Sequence, residues 1–251
     1  MMEKQYYVGI DIGSTTAKVV LADGEKILYQ CYERHYSQVR TKTLEILSRL
    51  GELVGDEPLK VAVSGSAGLG LARAAGLPFV QEVYATAAAV NTFIPATDAV
   101  IELGGEDAKI IFFGGALEER MNGSCAGGTG AFIDQMASLL QTDAAGLNDA
   151  AKSYRQLHPI AARCGVFAKT DIQPLINEGA TKADLAASIF QAVVQQTISG
   201  LACGKPIRGH VAFLGGPLHF LTELKAAFIR TLKLDKEHTI DVENSHLFAA
   251  M

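Results

Sequence analysis

The sequence lacks several features that would place it in a specialised class of protein. Its 251 residues contain four cysteines, none in Cys-x-x-Cys spacing, so neither a disulfide framework nor a zinc ribbon is indicated. No apolar run approaches the roughly 20 residues of a membrane span, and the N-terminus enters a predicted strand at once, which argues against a signal peptide. The net charge of −5 argues against nucleic acid or an anionic membrane as partner. Together these absences predict a cytoplasmic globular protein.

What the sequence does contain is a glycine-turn motif that occurs twice. Residues 7–20 read YVGIDIGSTTAKVV, and residues 100–111 read VIELGGEDAKII. Each copy is an apolar strand that ends in an acid, Asp11 or Glu102, followed by glycine two residues on and by an Ala-Lys pair whose lysine stands seven positions after the acid. Glycine lets a backbone approach phosphate oxygens and point N–H groups at them. The repeat therefore predicts two hairpins that hold a polyphosphate and its metal ion.

The candidate residues of these hairpins follow from the chemistry of phosphate and magnesium. Asp11 is placed to hold Mg²⁺ through water, an ion that keeps much of its hydration shell, and Glu102 and Asp107 are placed to do the same or to orient an attacking water. The alternative is a pair of ordinary hairpins with glycine in tight turns, which the matched spacing disfavours. The phosphate-binding candidates are Gly13, Ser14, Thr15, Thr16, Ala17, Lys18, Gly104 and Gly105.

Strand-like runs precede helix-like runs in both halves of the chain, which predicts two related α/β domains with mixed sheets. The first half has strands at Tyr6–Ile12, Lys18–Ala22 and Lys26–Cys31, and a helix at Thr41–Leu53 whose leucines recur every third residue. The second half opens with a strand pair, Val100–Leu103 and Lys109–Phe113, and is mostly helical until Val211–Leu214. The boundary is expected near Thr97-Asp98, which gives domains 1–97 and 98–251.

A third glycine turn follows the strand at residues 211–214, where Gly215, Gly216 and Pro217 precede a predicted helix at Phe220–Thr231. Such a turn suits contact with a base or ribose, although it is also a common connection between a strand and a helix. In this order the three elements resemble those of the actin, sugar-kinase and heat-shock-chaperone ATPase superfamily. By that resemblance Asp11–Lys18 and Glu102–Asp107 are its phosphate motifs, Leu214–Pro217 its adenosine motif and Gln81–Val90 its first connecting helix. The resemblance covers essentially the whole chain and implies two ribonuclease-H-like domains, flanked by helices, that bind ATP or ADP with Mg²⁺.

Two of the cysteines stand in glycine-containing segments ahead of predicted helices. Residues 122–132 read NGSCAGGTGAF around Cys125, and residues 162–171 read ARCGVFAKTD around Cys164. A thiolate at a helix N-terminus has a lowered pKa and suits metal ligation. The alternative for each is a cysteine that only fills space in the core.

These cysteine segments resemble the activators of 2-hydroxyacyl-CoA dehydratases and the related ATPase subunits of benzoyl-CoA reductase. The resemblance implies a homodimer whose subunits share one 4Fe–4S cluster through Cys125 and Cys164. Two ligands per chain do not satisfy the four that such a cluster takes, so either a dimer or other ligands are required. Cys31 and Cys203 are interpreted as packing residues. The implied activity is ATP-driven transfer of a low-potential electron, in anaerobic metabolism, from a ferredoxin or flavodoxin to a dehydratase-type enzyme or fused domain.

Some positions depart from the family pattern. Glu102 and Glu106 stand where the family often has Asp and Gln. The segment Pro217-Leu218-His219 also differs from the single-subunit activators. With these differences the sequence looks closer to the activase-like segments at the start of long fused proteins. The family continues beyond the position of Met251 into a helix that returns to the first domain, so domain 98–251 is expected to be truncated before that helix. Two other functions stay open: a nucleotide-sensing interaction module without a cluster, and a small-molecule kinase.

Overall fold

The chain forms two compact units. The computed structural model describes residues 5–24, 26–122, 127–161 and 164–251. One unit, here the first unit, runs to Pro95 and also includes Leu247–Met251, and the second unit is Ala96–His246. This division differs from the expected domains 1–97 and 98–251 at the boundary, which lies two residues earlier, and in the five residues Leu247–Met251, which group with the first unit.

The first unit is built on a mixed sheet in the order β3-β2-β1-β4. Strand β1 is antiparallel to β2 and parallel to β4, and β3 extends the sheet beyond β2. Val63 of β4 forms a further parallel bridge with Phe79. The elements are β1 Tyr6–Ile12, β2 Thr16–Asp23, β3 Lys26–Arg34, α1 Val39–Val54, β4 Leu59–Ser64, α2 Gly68–Ala75 and α3 Glu82–Phe93.

The second unit repeats this plan, with its strands in the order β7-β6-β5-β8-β9. Strand β5 is antiparallel to β6 and parallel to β8. Strand β1 of the first unit has the same relation to β2 and β4. The elements are β5 Ala99–Leu103, β6 Ala108–Phe112, β7 Glu118–Met121, α4 Gly130–Leu139, α5 Ala144–Ala151, α6 Gly165–Asn177, α7 Lys182–Thr197, β8 Val211–Leu214, α8 Gly216–Phe220, α9 Thr222–Leu232 and β9 Thr239–Ile240. Two related α/β units with mixed sheets flanked by helices confirm the predicted fold class.

The last residues of the chain pack on the first unit. Leu247 and Phe248 are buried, and Leu247 clusters with Val20 of β2. A Cβ at Gly9 of β1 would clash with the backbone carbonyl of Ala250, so only glycine allows the segment to approach this closely. This contact explains why residues 247–251 belong to the first unit although they follow the second in the sequence.

The structure adds detail to the predicted elements at three places. Helix α1 forms as predicted, but Leu44 and Leu53 are 57% and 61% exposed, because a row of every third residue drifts around a helix with 3.6 residues per turn. Strand β7 was missed, since a four-residue strand made mostly of charged residues carries no apolar signal. The predicted helix Phe220–Thr231 is α9, and the short helix α8 that precedes it, separated by Leu221, was not predicted.

Helix α7 continues as a turn of π-helix, Ile198–Ala202, and forms the centre of the second unit. The combined segment Lys182–Ala202 is long and apolar enough to cross a membrane by length and composition, yet 67% of its most apolar 18-residue stretch is buried inside the protein. Its apolar character is therefore accounted for by core packing, as for Phe190 and Ile189, which are fully buried.

Candidate functional site

The first hairpin joins β1 to β2 and places its acid opposite its lysine. Asp11 and Lys18 are partners in the antiparallel register, and Lys18 Nζ lies 2.6 Å from Asp11 Oδ2. Asp11 is fully buried, so this carboxylate is held by an ion pair inside the unit. The turn closes with a hydrogen bond of 2.9 Å from Gly13 N to Thr16 O. The motif repeat therefore predicted a real hairpin, with its acid fixed at the end of β1.

The remaining candidates of this turn differ in exposure. Ser14 is exposed and Thr15 is half-buried, whereas the side chains of Thr16 and Ala17 are buried. The structure thus leaves Ser14 and Thr15 as the accessible hydroxyls. His35, which the sequence reasoning missed, is also buried here and donates from Nε2 to Gly13 O at 3.0 Å. A histidine 22 residues away carries no sequence signal that would connect it to this turn.

The loop that follows β4 packs against the same acid. Ser64 Oγ lies 3.2 Å from Asp11 Oδ1 and 2.7 Å from Ala249 O, so one hydroxyl stands between the acid and the last residues of the chain. Gly65 has a φ of +86°, and a Cβ there would clash with Ile12 O. Both features hold the end of β4 against the end of β1.

The second hairpin joins β5 to β6 and repeats the backbone geometry of the first. Glu102 and Lys109 are register partners, and a hydrogen bond of 2.8 Å from Gly104 N to Asp107 O closes the turn. The charges are arranged differently, because Lys109 Nζ lies 2.8 Å from Asp107 Oδ2 instead of bonding the acid at the strand end in the manner of Lys18. Glu102 is buried, and its Oε2 has no hydrogen-bond partner among the described residues. A buried carboxylate oxygen of this kind is suited to a cation or an ordered water.

The third glycine turn lies beside the second hairpin. Gly215 has a φ of +90°, and a Cβ there would clash with Leu103 O, so glycine is required by both conformation and space. Gly215 N donates to Ser245 O at 2.9 Å, and Gly216 and Pro217 begin α8. Parallel strands β5 and β8 end at the same edge of the sheet, which is the edge where ligands of open α/β sheets bind.

Two histidines and a phenylalanine border this third turn and were not identified from the sequence. His219 Nδ1 lies 2.9 Å from Ser245 Oγ, and its ring centroid lies 3.9 Å from that of His246. Phe220 meets the His219 ring edge to face, and it is more than half exposed. Burial, with a smaller contribution from Lys225, lowers the pKa of His219, so its ring is neutral at neutral pH.

The start of α4 is attached to the second hairpin by main-chain hydrogen bonds. Gly130 N donates to Gly104 O at 3.0 Å, and Ala131 N donates to Gly105 O at 2.7 Å. Before this helix, Asn122 N donates to Ala108 O at 3.0 Å, and Asn122 Oδ1 accepts from Ala108 N at 2.7 Å. The segment that contains Cys125 is therefore bonded to the hairpin at both of its ends. Cys125 itself lies outside the described residues.

Cys164 is a free thiol at the start of α6. It is the residue that precedes the first turn of this 13-residue helix, and it is partly exposed. Gly165 follows, and then Val166 and Phe167, which are 68% and 65% exposed, so the first turn of α6 presents apolar side chains to solvent. The N-terminus of α6 thus presents a cysteine together with main-chain N–H groups that favour a negatively charged ligand.

The other two described cysteines differ from one another. Cys31 is buried in β3 and donates a hydrogen bond to Glu33 Oε1. Burial is the larger cause that raises the pKa of its thiol, and the hydrogen bond to Glu33 is the second. Its interpretation as a packing residue is confirmed. The same interpretation is wrong for Cys203, which is exposed just after the π-helical turn. No group of three or more His, Cys, Asp or Glu residues with metal-binding geometry occurs in the part of the chain that the structure describes.

Known proteins resemble this chain over most of its length. It is 32% identical to the 2-hydroxyisocaproyl-CoA dehydratase activator of Clostridioides difficile, over 84% of this chain and 80% of that protein. It is 31% identical to the (R)-2-hydroxyglutaryl-CoA dehydratase activating ATPase of Acidaminococcus fermentans, over 84% of this chain and 82% of that protein.

A solved structure shows the same fold. The activator of the 2-hydroxyisocaproyl-CoA dehydratase from Clostridium difficile, with bound ADPNP, superposes with a TM-score of 0.85 at 27% identity and covers 98% of this chain and 91% of that one. The family described as the BadF/BadG/BcrA/BcrD ATPase family matches residues 8–244. With its two actin-like units and its three glycine turns, this chain belongs to the BadF/BadG/BcrA/BcrD ATPase family.

Proposed function

We propose that this protein is an ATP-dependent activator that delivers a low-potential electron from an iron–sulfur cluster to a 2-hydroxyacyl-CoA dehydratase or a related CoA-substrate enzyme. The relatives named as dehydratase activators support this reaction class. The observation that carries the proposal is the attachment of both ends of the Cys125 segment to a phosphate-type hairpin, through Asn122, Gly130 and Ala131. A nucleotide bound at that hairpin acts directly on a metal-ligand segment.

The nucleotide is ATP or ADP, in keeping with the ADPNP bound to a solved relative. We assign its phosphates to the turns at Gly13, Gly104 and Gly105, where glycine lets the backbone come close, to the hydroxyls of Ser14 and Thr15, and to the cation of Lys18. Thr16 and Ala17 contribute main chain only, since their side chains are buried. The adenosine moiety is assigned to Gly215, Gly216 and Pro217.

The described residues fit a hydrated Mg²⁺ ion. Glu102 Oε2 is buried and has no hydrogen-bond partner in the described part of the chain, and Asp11 is a second buried carboxylate at an equivalent strand end. Mg²⁺ binds such oxygens through one or two carboxylates while it keeps several waters. We assign to Asp11 the water-mediated hold on Mg²⁺, and to Glu102 or Asp107 the orientation of the attacking water. Bound Mg²⁺ neutralises charge on the phosphates during hydrolysis.

The residues also fit a cluster shared by two chains. Cys164 is a partly exposed thiol at a helix N-terminus, and beside it Val166 and Phe167 offer apolar surface for a second copy of the chain. With Cys125 as the second ligand, a homodimer supplies the four thiolates that a 4Fe–4S cluster takes. When bound, such a cluster supplies one-electron transfer between a reduced ferredoxin or flavodoxin and the partner enzyme. A cytoplasmic location belongs to the same proposal.

Iron analysis tests this function. Anaerobically reconstituted wild type is expected to hold about four iron atoms per two chains, with nearly complete loss in Cys125→Ala and Cys164→Ala. Cys203→Ala is the matched control, because Cys203 is exposed but follows the end of a helix instead of preceding a start. Wild type that binds ATP but takes up no iron would contradict the cluster and leave an ATP-binding interaction module.

A further inference from the structure

A side chain from α4 occupies the space beside the first residue of α6, which is a glycine. A Cβ added at Gly165 would clash with Gln135 Oε1 and would lie 2.9 Å from Gln135 Cδ and 3.3 Å from Gln135 Nε2. Gly165 directly follows Cys164, so the carboxamide of Gln135 lies against the backbone at the proposed metal ligand. Helix α4 thereby contacts the start of α6 at this position.

The carboxamide of Gln135 has no hydrogen-bond partner among the described residues, so it is available to a ligand there. Gln135 is exposed on α4, one turn beyond the residues that bond the second hairpin. A carboxamide carries two N–H donors, and rotation of its terminal torsion presents either the nitrogen or the oxygen at nearly the same place. Cys164, the residue that precedes Gly165, is partly exposed, so both the carboxamide and the thiol are accessible to a ligand.

A hydrogen bond to sulfur changes the redox behaviour of an iron–sulfur cluster. Reduction adds negative charge to the sulfur atoms, so an N–H donor stabilises the reduced form and raises the reduction potential. We propose that Gln135 is a positioning residue that donates a hydrogen bond to the sulfur environment of Cys164 and thereby raises the reduction potential of the bound cluster. This inference rests on the proposed function, because it requires the cluster.

Two single variants remove this donor in independent ways. Gln135→Leu keeps the bulk of the side chain and deletes its N–H groups. Gly165→Ala introduces a Cβ that displaces the flexible end of Gln135 without altering any donor. Gln195→Leu is the matched control, because it makes the same change at an exposed glutamine of α7 that faces the cleft beside Tyr154 and Arg230. The measurement is a redox titration followed by electron paramagnetic resonance, with iron content determined on each sample.

The expected result is a lower midpoint potential in both variants, at unchanged iron content and unchanged ATP affinity. The double variant Gln135→Leu/Gly165→Ala is expected to shift no further than the larger single shift, since both changes remove one interaction. Iron-replete variants that keep the wild-type potential would overturn the role of Gln135 and leave the activator function in place. Absence of iron in the wild type would overturn both.

Discussion

At the scale of single residues, the two hairpins share a backbone but not an arrangement of charge. Lys18 bonds the acid at the end of the preceding strand, whereas Lys109 bonds Asp107 in the turn, and Glu102 Oε2 has no hydrogen-bond partner among the described residues. Removing one partner of a buried ion pair is destabilising because the other charge is left uncompensated, whereas neutralising a carboxylate oxygen without a partner breaks no bond. The two acids are therefore expected to respond differently to neutralisation.

Neutralising Asp11 is expected to affect both stability and turnover. Asp11→Asn removes one half of a buried ion pair, so the free energy of unfolding falls by roughly 3 kcal/mol and Mg²⁺-dependent ATP hydrolysis is lost. Chemical denaturation and phosphate release measure the two effects. The double variant Asp11→Asn/Lys18→Met is expected to regain stability without regaining hydrolysis. Recovery of hydrolysis in the double variant would show that Asp11 acts only by holding Lys18.

Neutralising Glu102 is expected to affect turnover alone. Glu102→Gln preserves shape and breaks no described hydrogen bond of Oε2, so the melting temperature stays close to wild type while kcat for ATP hydrolysis falls roughly 100-fold. Asp107→Asn is the comparison, because it deprives the buried Lys109 of its ion pair and lowers stability as well. Wild-type kcat in Glu102→Gln would exclude this acid from the reaction and leave Asp107 as the group that orients water.

At the scale of elements, the start of α7 depends on a single carboxylate. Asp184 accepts hydrogen bonds from the main-chain N–H groups of Arg155 and Gln156 and from the Thr181 hydroxyl, and these bonds lower its pKa from 3.8 to about 2. A pKa that is lower in the folded state means that the stabilisation is complete above the unfolded value and is lost as pH falls through the folded one.

The stability of wild type is therefore expected to include a component that disappears between about pH 4 and about pH 2, and Asp184→Asn is expected to abolish that component. Urea unfolding across this pH range provides the measurement. Asp149→Asn is the matched control, because Asp149 pairs with Lys152 in an exposed ion pair that contributes little. An equal loss of unfolding free energy at acid pH in Asp184→Asn and in wild type would refute this assignment.

Because α4 is attached to the second hairpin, we expect an alanine substitution to change the free energy of unfolding in opposite directions at two helical glycines. Gly70 of α2 has open space around it, so Gly70→Ala stabilises by roughly 0.5–1 kcal/mol. At Gly130 an added Cβ would lie 3.1 Å from Gly104 O and 3.4 Å from Gly105 Cα, both backbone atoms, so Gly130→Ala destabilises and weakens ATP binding. Thermal melting and nucleotide titration decide the point. A stabilising effect at both positions would show that the second hairpin can shift away from the added Cβ at Gly130 without a loss of stability.

The sequence predicted those elements whose signal is local. Matched spacing of acid, glycine and lysine predicted both hairpins, and the register of Asp11 with Lys18 and of Glu102 with Lys109 confirms them. Contacts that join distant segments left no pattern to recognise. Gln135 beside Gly165, and His35 on Gly13, depend on tertiary packing, and β7 has too few apolar residues to register as a strand. The ligand roles of Cys125 and Cys164 stay predictions until iron is measured.

At the scale of the whole molecule, the first unit is completed by residues that follow the second unit in the sequence. Gly9→Ala would force the backbone of Ala250 away and release the buried Leu247 and Phe248, at a cost of roughly 2–4 kcal/mol. Faster hydrogen exchange in β1 and β4 is the expected readout. Gly51→Ala, at an unobstructed position of α1, is the control. Equal exchange in both variants would show that the terminal segment adds nothing to the first unit.

This interleaved connectivity also sets an order for biosynthesis. Chains fold as the ribosome releases them, generally from the N-terminus. The second unit is continuous in sequence, so it can reach its native contacts as soon as Ala96–His246 has emerged. The first unit is synthesised earlier, yet its Ser64–Ala249 bond spans 185 positions and forms only after Ala249 has been translated. The nascent first unit, with the end of β1 not yet covered, is therefore the species that chaperones and proteases meet during translation.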